Sequence, residues 1–183
     1  MENNASFNRF TIPFRWGIII SIVSILLFTI YSMFMMTTAG MWGTMGFGVF
    51  SFILTMLLLG AMAMQQRKAM GGFITFKEAF SAVFVSILII VIVSQLYATV
   101  YTTWIDPEYY DKSREMSENM VMQLGGDEEA SELAAAKAEE SIEKQKSFSG
   151  KLMGALFSII LYSLFGFIIA AVVKRNKPEH LQG

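Results

Sequence analysis

WGIIISIVSILLFTIYSMFMMTTAGMWGTMGFGVFSFILTMLLLGAMAM, residues 16–64, contains no Asp, Glu, Lys, Arg or His. A helix needs about 20 mainly apolar residues to cross a bilayer core of roughly 30 Å, so this run is long enough for two crossings. It is interrupted at Thr38-Ala39-Gly40-Met41-Trp42-Gly43, where small and turn-forming residues break the aliphatic pattern. Two more uncharged stretches follow, Ala79–Ile105 and Leu152–Val173. The expectation is four spans, at 16–37, 44–64, 80–104 and 152–173. Inside hydrocarbon every backbone N–H and C=O needs an internal partner, so each span is expected to be a helix. The fold class is therefore all-α: an integral membrane protein with four transmembrane helices.

Composition points the same way. Of 183 residues, 54% are hydrophobic and 16% charged, against about 45–50% and 25% in soluble domains. That disfavours an ordinary soluble enzyme and a disordered chain. A formal net charge of -1 suggests no nucleic-acid partner. The absence of cysteine removes disulfides, thiolate zinc sites, iron–sulfur clusters and cysteine nucleophiles. One histidine, His180, leaves little for His-based metal or catalytic chemistry. There is no phosphate-binding glycine loop with its lysine, no zinc-type His motif and no nucleophile elbow. No cofactor is expected. A cleaved signal peptide is disfavoured, because the first apolar run exceeds the usual 7–15 residues and a second span follows at once.

The positions of Lys and Arg set the expected orientation. Four spans put both termini on one side, together with Arg9, Arg15, Arg67, Lys68, Lys77, Lys174, Arg175 and Lys177. That side is expected to be the cytoplasm, in a bacterial inner membrane. The chain then divides into a cytoplasmic segment 1–15, spans one to three within 16–104 with a cytoplasmic loop at 65–78, an external segment 105–151, span four at 152–173 and a basic tail 174–183. Trp16 would mark the inner interface, and Trp42 and Trp104 the outer one.

Within the 65–78 loop, Thr75-Phe76-Lys77-Glu78 matches a capping box, with Thr75 and Glu78 each accepting from the other's backbone N–H. Gly71-Gly72 before it permits a sharp turn. The plain reading is a well-made start for span three. The sharper one is a docking loop for a cytosolic or lipid partner, with Lys77 at the phosphate level. The run Gly71-Gly72-Phe73-Ile74-Thr75-Phe76-Lys77-Glu78-Ala79-Phe80 resembles a recurring motif of the bacterial membrane family known as domain of unknown function 4199. Ile105-Asp106-Pro107-Glu108 is similar to that family's second recurring element. The resemblance implies a small four-span inner-membrane protein with no established activity, and an association with membrane glycosyltransferases.

Residues 106–151 carry twelve acidic and six basic side chains. Asp106-Pro107 reads as a helix start, with Asp at the N-cap and Pro at the first helical position. That helix is expected to end near Leu124, and Gly125-Gly126 to break it. A second helix then restarts at Asp127-Glu128-Glu129, where acids suit the helix dipole. The expected unit is an extracytoplasmic antiparallel hairpin. Tyr109, Met116, Met120 and Leu124 form an apolar stripe on its first helix, and Leu133, Ala134, Ala138 and Ile142 a thinner one on its second. Both faces are narrow, so the hairpin is expected to lean on a partner chain or to continue spans three and four. The methionines would suit an adaptable contact. The acids at 127–132 lack EF-hand spacing, so no metal site is expected.

In span four, Gly150, Gly154, Ser158, Gly166 and Ala170 recur at four-residue spacing, broken by Tyr162. Small residues at that spacing let helices approach closely, within the bundle or between molecules. No ionisable group lies at membrane depth, and Gln95 is the most polar residue there. Ion-coupled transport is disfavoured on that ground. The leading expectation is a non-enzymatic accessory or scaffold subunit. Its partners would be the lipid bilayer and a membrane protein or a second copy. The alternatives are a small-solute or lipid carrier using Ser94 and Gln95, or an accessory to a membrane glycosyltransferase.

Overall fold

The computed structural model describes the backbone of residues 3–177 and the side chains of residues 10–177. His180 and the 178–183 part of the expected tail lie outside the described residues, as do residues 1–2. Six α-helices follow one another: α1 (Asn3–Ile30), α2 (Gly40–Ala69), α3 (Phe76–Val100), α4 (Tyr109–Gln123), α5 (Glu128–Lys146) and α6 (Phe148–Val173). Two of them widen at their ends into single π-helical segments, Tyr31–Met35 after α1 and Tyr101–Ile105 after α3. Among the described residues the one extended pairing is a bridge between Ile74 and Arg175.

Among the described residues, four helices are long and apolar enough to cross a membrane: Phe10–Met35, Gly40–Ala69, Phe76–Ile105 and Phe148–Val173. They run 26 to 30 residues, or roughly 39–45 Å at 1.5 Å per residue, more than the thickness of a bilayer core. The apolar windows of the first, second and fourth are 17–22% buried, that of the third 39%. α3 is thus the helix most enclosed by its neighbours.

Two expected boundaries move. The chain before residue 16 is already helical, and α1 runs through Pro13, which is fully buried and whose carbonyl accepts from Ser86 Oγ at 2.8 Å. The first connection is not Thr38–Gly43, because α2 begins at Gly40. Gly40 turns the chain in one residue at φ +60, a left-handed conformation that glycine takes without a Cβ clash. Met41, Trp42 and Gly43 are then free to enter the helix.

The chain forms two compact units, and each long helix contributes to both. The first comprises Met1–Val23, Ile53–Val93 and Phe157–Gly183; the second comprises Ser24–Phe52 and Ser94–Leu156. In the first, α1 approaches α3 where a Cβ on Gly17 would stand 2.9 Å from Ile89 Cβ. α6 approaches α3 where a Cβ on Gly166 would stand 3.2 Å from Val83. Ala170 and Val173 of α6 are buried too, as are Ala79, Ala82, Val83 and Ile87 of α3. The internal-packing reading of the small residues therefore holds for Gly166 and Ala170. Gly150 has another reason: a Cβ there would fall 1.8 Å from the Lys144 carbonyl, so the abrupt passage from α5 to α6 admits only glycine. A Cβ at Gly154 would meet nothing within 4 Å, and Ser158 is half-buried.

Candidate functional site

In the first unit, the 65–78 connection shows what the 71–80 motif does. α2 ends at Ala69, and Gly71 and Gly72 both take positive φ, +80 and +88. Their N–H groups donate back to the carbonyls of Lys68 at 3.1 Å and Arg67 at 2.9 Å, satisfying the open end of α2. Ile74 then exchanges both main-chain bonds with Arg175, at 2.9 and 2.8 Å, just beyond the end of α6. Thr75 and Glu78 close the expected capping box. Glu78 N–H donates to Thr75 Oγ1 at 3.3 Å, and Thr75 N–H donates to Glu78 Oε2 at 3.1 Å. Thr75 Oγ1 adds a third bond to the same carboxylate at 2.9 Å. Phe76 stacks on Phe80 and Phe167, with centroids 6.3 and 6.0 Å away, and Lys77 is exposed.

Side chains reinforce that junction. Arg67 Nη1 donates to the Val173 carbonyl at 3.2 Å, at the negative end of α6. The Arg175 guanidinium lies 5.8 Å over the Phe73 ring. Trp16 Nε1 donates to Gln65 Oε1, joining α1 to α2. Among the described side chains of this unit seven are basic: Arg15, Arg67, Lys68, Lys77, Lys174, Arg175 and Lys177. The one acid among them, Glu78, is engaged in its cap. The unit therefore carries a basic rim.

The second unit holds the α4–α5 hairpin, with one correction at its start. Asp106 is not the N-cap and Pro107 not the first helical residue: α4 begins at Tyr109, after an uncapped Glu108. Asp106 instead closes the π-helical segment, its N–H donating to the Tyr101 carbonyl at 2.8 Å. Its carboxylate takes Lys112 Nζ on both oxygens, at 2.8 and 3.0 Å, so no oxygen turns toward the α4 amides. That hydrogen bond raises the Lys112 ammonium above its ordinary value of 10.5. Pro107 lies exposed in the turn. The restart at Asp127 is as expected: its carboxylate accepts from Ala130 N–H at 2.8 Å.

α4 leans on its own chain. The Tyr109 ring meets Phe28, Tyr101 and Tyr110 at 5.7, 6.1 and 5.5 Å. Burial first, and the neighbouring Tyr31 next, push its phenol up to about 12. One heptad on, Met116 Sδ accepts from Tyr31 OH at 3.1 Å and faces Thr44 Oγ1 at 4.0 Å. Another heptad on, Gln123 Oε1 accepts from Met41 N–H at 3.0 Å. Residues 109, 116 and 123 thus seat α4 along α1 and α2, with Met120 half-buried beside them. α5 returns antiparallel, bringing Lys146 over the Tyr110 ring at 4.8 Å. Ile142 is buried as expected, but Leu124 and Leu133 are exposed and close no hairpin core. Short side chains such as Ala134 and Ala138 let α4 and α5 pack without them.

Tyr31, Tyr97, Tyr101 and Gln123 are the residues that sequence reasoning missed. The signal for Gln123 was the seven-residue spacing Tyr109–Met116–Gln123, which a search for apolar residues alone does not follow past Met116; the three tyrosines carried no such signal. Beneath α4, the hydroxyls of Ser32 and Tyr101 are buried and face each other, each at the first turn of a π-helical segment. Widened helical turns of this kind are often found at functional sites. Among the described residues, no three His, Asp or Glu side chains come together as a metal site would require.

Helix order, span length and the hairpin between α3 and α6 define an all-α chain of the multi-pass membrane type. The chain belongs to the family described as "Protein of unknown function (DUF4199)", whose model matches residues 15–175 and so takes in both the 71–80 and the 105–108 elements. No curated protein and no solved structure matches it.

Proposed function

We propose that the chain is a non-enzymatic accessory or scaffold subunit of a bacterial inner membrane, with both termini cytoplasmic, acting through helix and hairpin contacts. The observation that carries this reading is the use the chain makes of its polar motif residues. Thr75 and Glu78 cap a helix, Asp106 holds Lys112, and Ile74 and Arg175 bind each other's main chain. These groups build the fold, and the exposed length of α5 is what stands open to a partner. The eight basic residues of the termini and the 65–78 loop support the cytoplasmic assignment.

A photocrosslinker placed at exposed Ala136 in living cells tests this. The scaffold reading expects one discrete adduct, reproduced when the crosslinker is moved to Glu132. A chain that is monomeric in mild detergent and yields no adduct from either position contradicts it. One observation favours a second reading, a carrier for a small neutral solute: Ser32, Ser94 and Tyr101 bury their hydroxyls in the second unit. Unchanged solute flux in vesicles after Ser94→Val and Ser32→Ala would remove it.

A further inference from the structure

The segment 106–151 is dense in charge, yet Asn119-Met120-Val121-Met122-Gln123-Leu124-Gly125-Gly126 carries none, the longest uncharged run within it. Met122 is 56% exposed and Leu124 68%. Two large aliphatic side chains stand open at the tip of an otherwise acidic hairpin. Gln123 between them is held by Met41 N–H, which fixes the tip beside the first turn of α2. The residue after Met41 is Trp42, 78% exposed.

Trp42 belongs to a set. Trp104 at the end of the π-helical segment after α3 is 77% exposed, and Phe148 at the first position of α6 is 83% exposed. All three lie in the second unit, at the corresponding ends of three membrane-length helices. Open tryptophan rings at span ends mark the headgroup boundary, where an amphipathic ring has both an apolar and a wet side, and the apolar Phe148 ring can lie just inside it. The hydrogen bond from Met41 to Gln123 ties the hairpin tip to that boundary.

We propose that the α4–α5 tip is a lipid-binding surface: Met122 and Leu124, with Trp42, enter the headgroup–acyl boundary of the bilayer that the four helices span. This rests on the membrane-spanning reading above. Neutral or zwitterionic lipid suits the tip better than anionic lipid, because Asp127, Glu128 and Glu129 follow it directly. The consequence is geometric. The hairpin is laid against the membrane at its tip, leaving the exposed face of α5 turned to water.

The chain has no cysteine, so single nitroxide labels can be placed without background. Labels at M122C and L124C are compared with L57C, exposed in the middle of α2, and E132C, exposed on α5. The protein is reconstituted in phosphatidylcholine vesicles. Relaxation by oxygen and by a water-soluble nickel chelate is then measured. The expected result is nickel access at 122 and 124 lower than at 132 by at least about threefold, with oxygen access raised, as for interfacially buried side chains. Labels at 122 and 124 that match 132, while 57 reports lipid, overturn the proposal and leave the spans intact. An aqueous signal at 57 overturns the spanning reading itself. Exclusion of both reagents at 122 and 124, with spin–spin broadening between chains, shows a second copy on the patch and also overturns it. Because the labels replace exposed residues, folding is checked by the unchanged signal at 57.

Discussion

Between Ala69 and Phe76 the chain is fixed by main-chain bonds, and between Tyr109 and Gln123 by the tips of side chains. The first junction uses two left-handed glycines, a bridge to Arg175 and a reciprocal cap. The second uses a sulfur acceptor at Met116, an amide at Gln123 and an ion pair at Asp106. Sulfur is a weak acceptor, and a single neutral hydrogen bond nets only about 0.5–1.5 kcal/mol. The 65–78 connection is therefore the rigid end, and the hairpin seat the one that can open.

Substitutions can break that contrast, beginning with the largest effect. Tyr101 is fully buried beneath the hairpin and touches Phe28, Tyr97 and Tyr109. Tyr101→Ala is expected to cost about 3–5 kcal/mol, as other large aromatic truncations in cores do. Denaturant titration of the reconstituted protein would measure it. Tyr101→Phe should cost far less, at most about 0.5–1.5 kcal/mol, since only the hydroxyl that faces Ser32 is lost. In the rigid junction, Gly72→Val forces a β-branched residue to φ +88. A loss of roughly 1–2 kcal/mol is expected in the same titration. Protease nicking between α2 and α3 should rise with it. Thr75→Ala removes the acceptor for Glu78 N–H and is expected to cost about 1 kcal/mol, seen as a small fall in the thermal midpoint.

The smallest effect sharpens the comparison through pH. Lys112 has a raised folded value, so its contribution is complete below the ordinary lysine value of 10.5 and is lost as pH rises through the folded one. The midpoint difference between the wild type and Lys112→Met should be constant from neutral pH to about pH 9 and should vanish only in stronger alkali. A difference that already fades near neutrality would mean that another group holds the hairpin.

Much of the rigid junction was legible in the sequence because its chemistry is local. Gly71, Gly72, Thr75 and Glu78 act over three or four residues, and a capping box is written in order along the chain. The four long apolar helices were legible for the same reason, since a run of uncharged residues needs no partner to be recognised. The hairpin seat was not. Met41 and Gln123 are 82 positions apart, and Tyr31 and Met116 are 85, so nothing in either neighbourhood announces the other. Asp106 misled because an Asp-Pro pair favours a helix start only while its carboxylate is unclaimed, and Lys112 claims it. Leu124 and Leu133 mislead because an apolar stripe reads as hairpin core, whereas both are exposed and α4 and α5 pack without them. Gly150 was read for helix packing, and its need comes from the Lys144 carbonyl beside it.

The seating of α4 on α1 and α2 is tested most directly by a cysteine pair at Thr44 and Met116. The side chains of these residues approach to 4.0 Å, in a chain that has no other cysteine. A short bis-methanethiosulfonate crosslinker, which restores the reach lost when Met116 becomes cysteine, is expected to join T44C to M116C within one molecule in native membranes. The product should be a faster-migrating monomer that reverts on reduction. Absence of that product, or a bond that forms only between two chains, would contradict the seat.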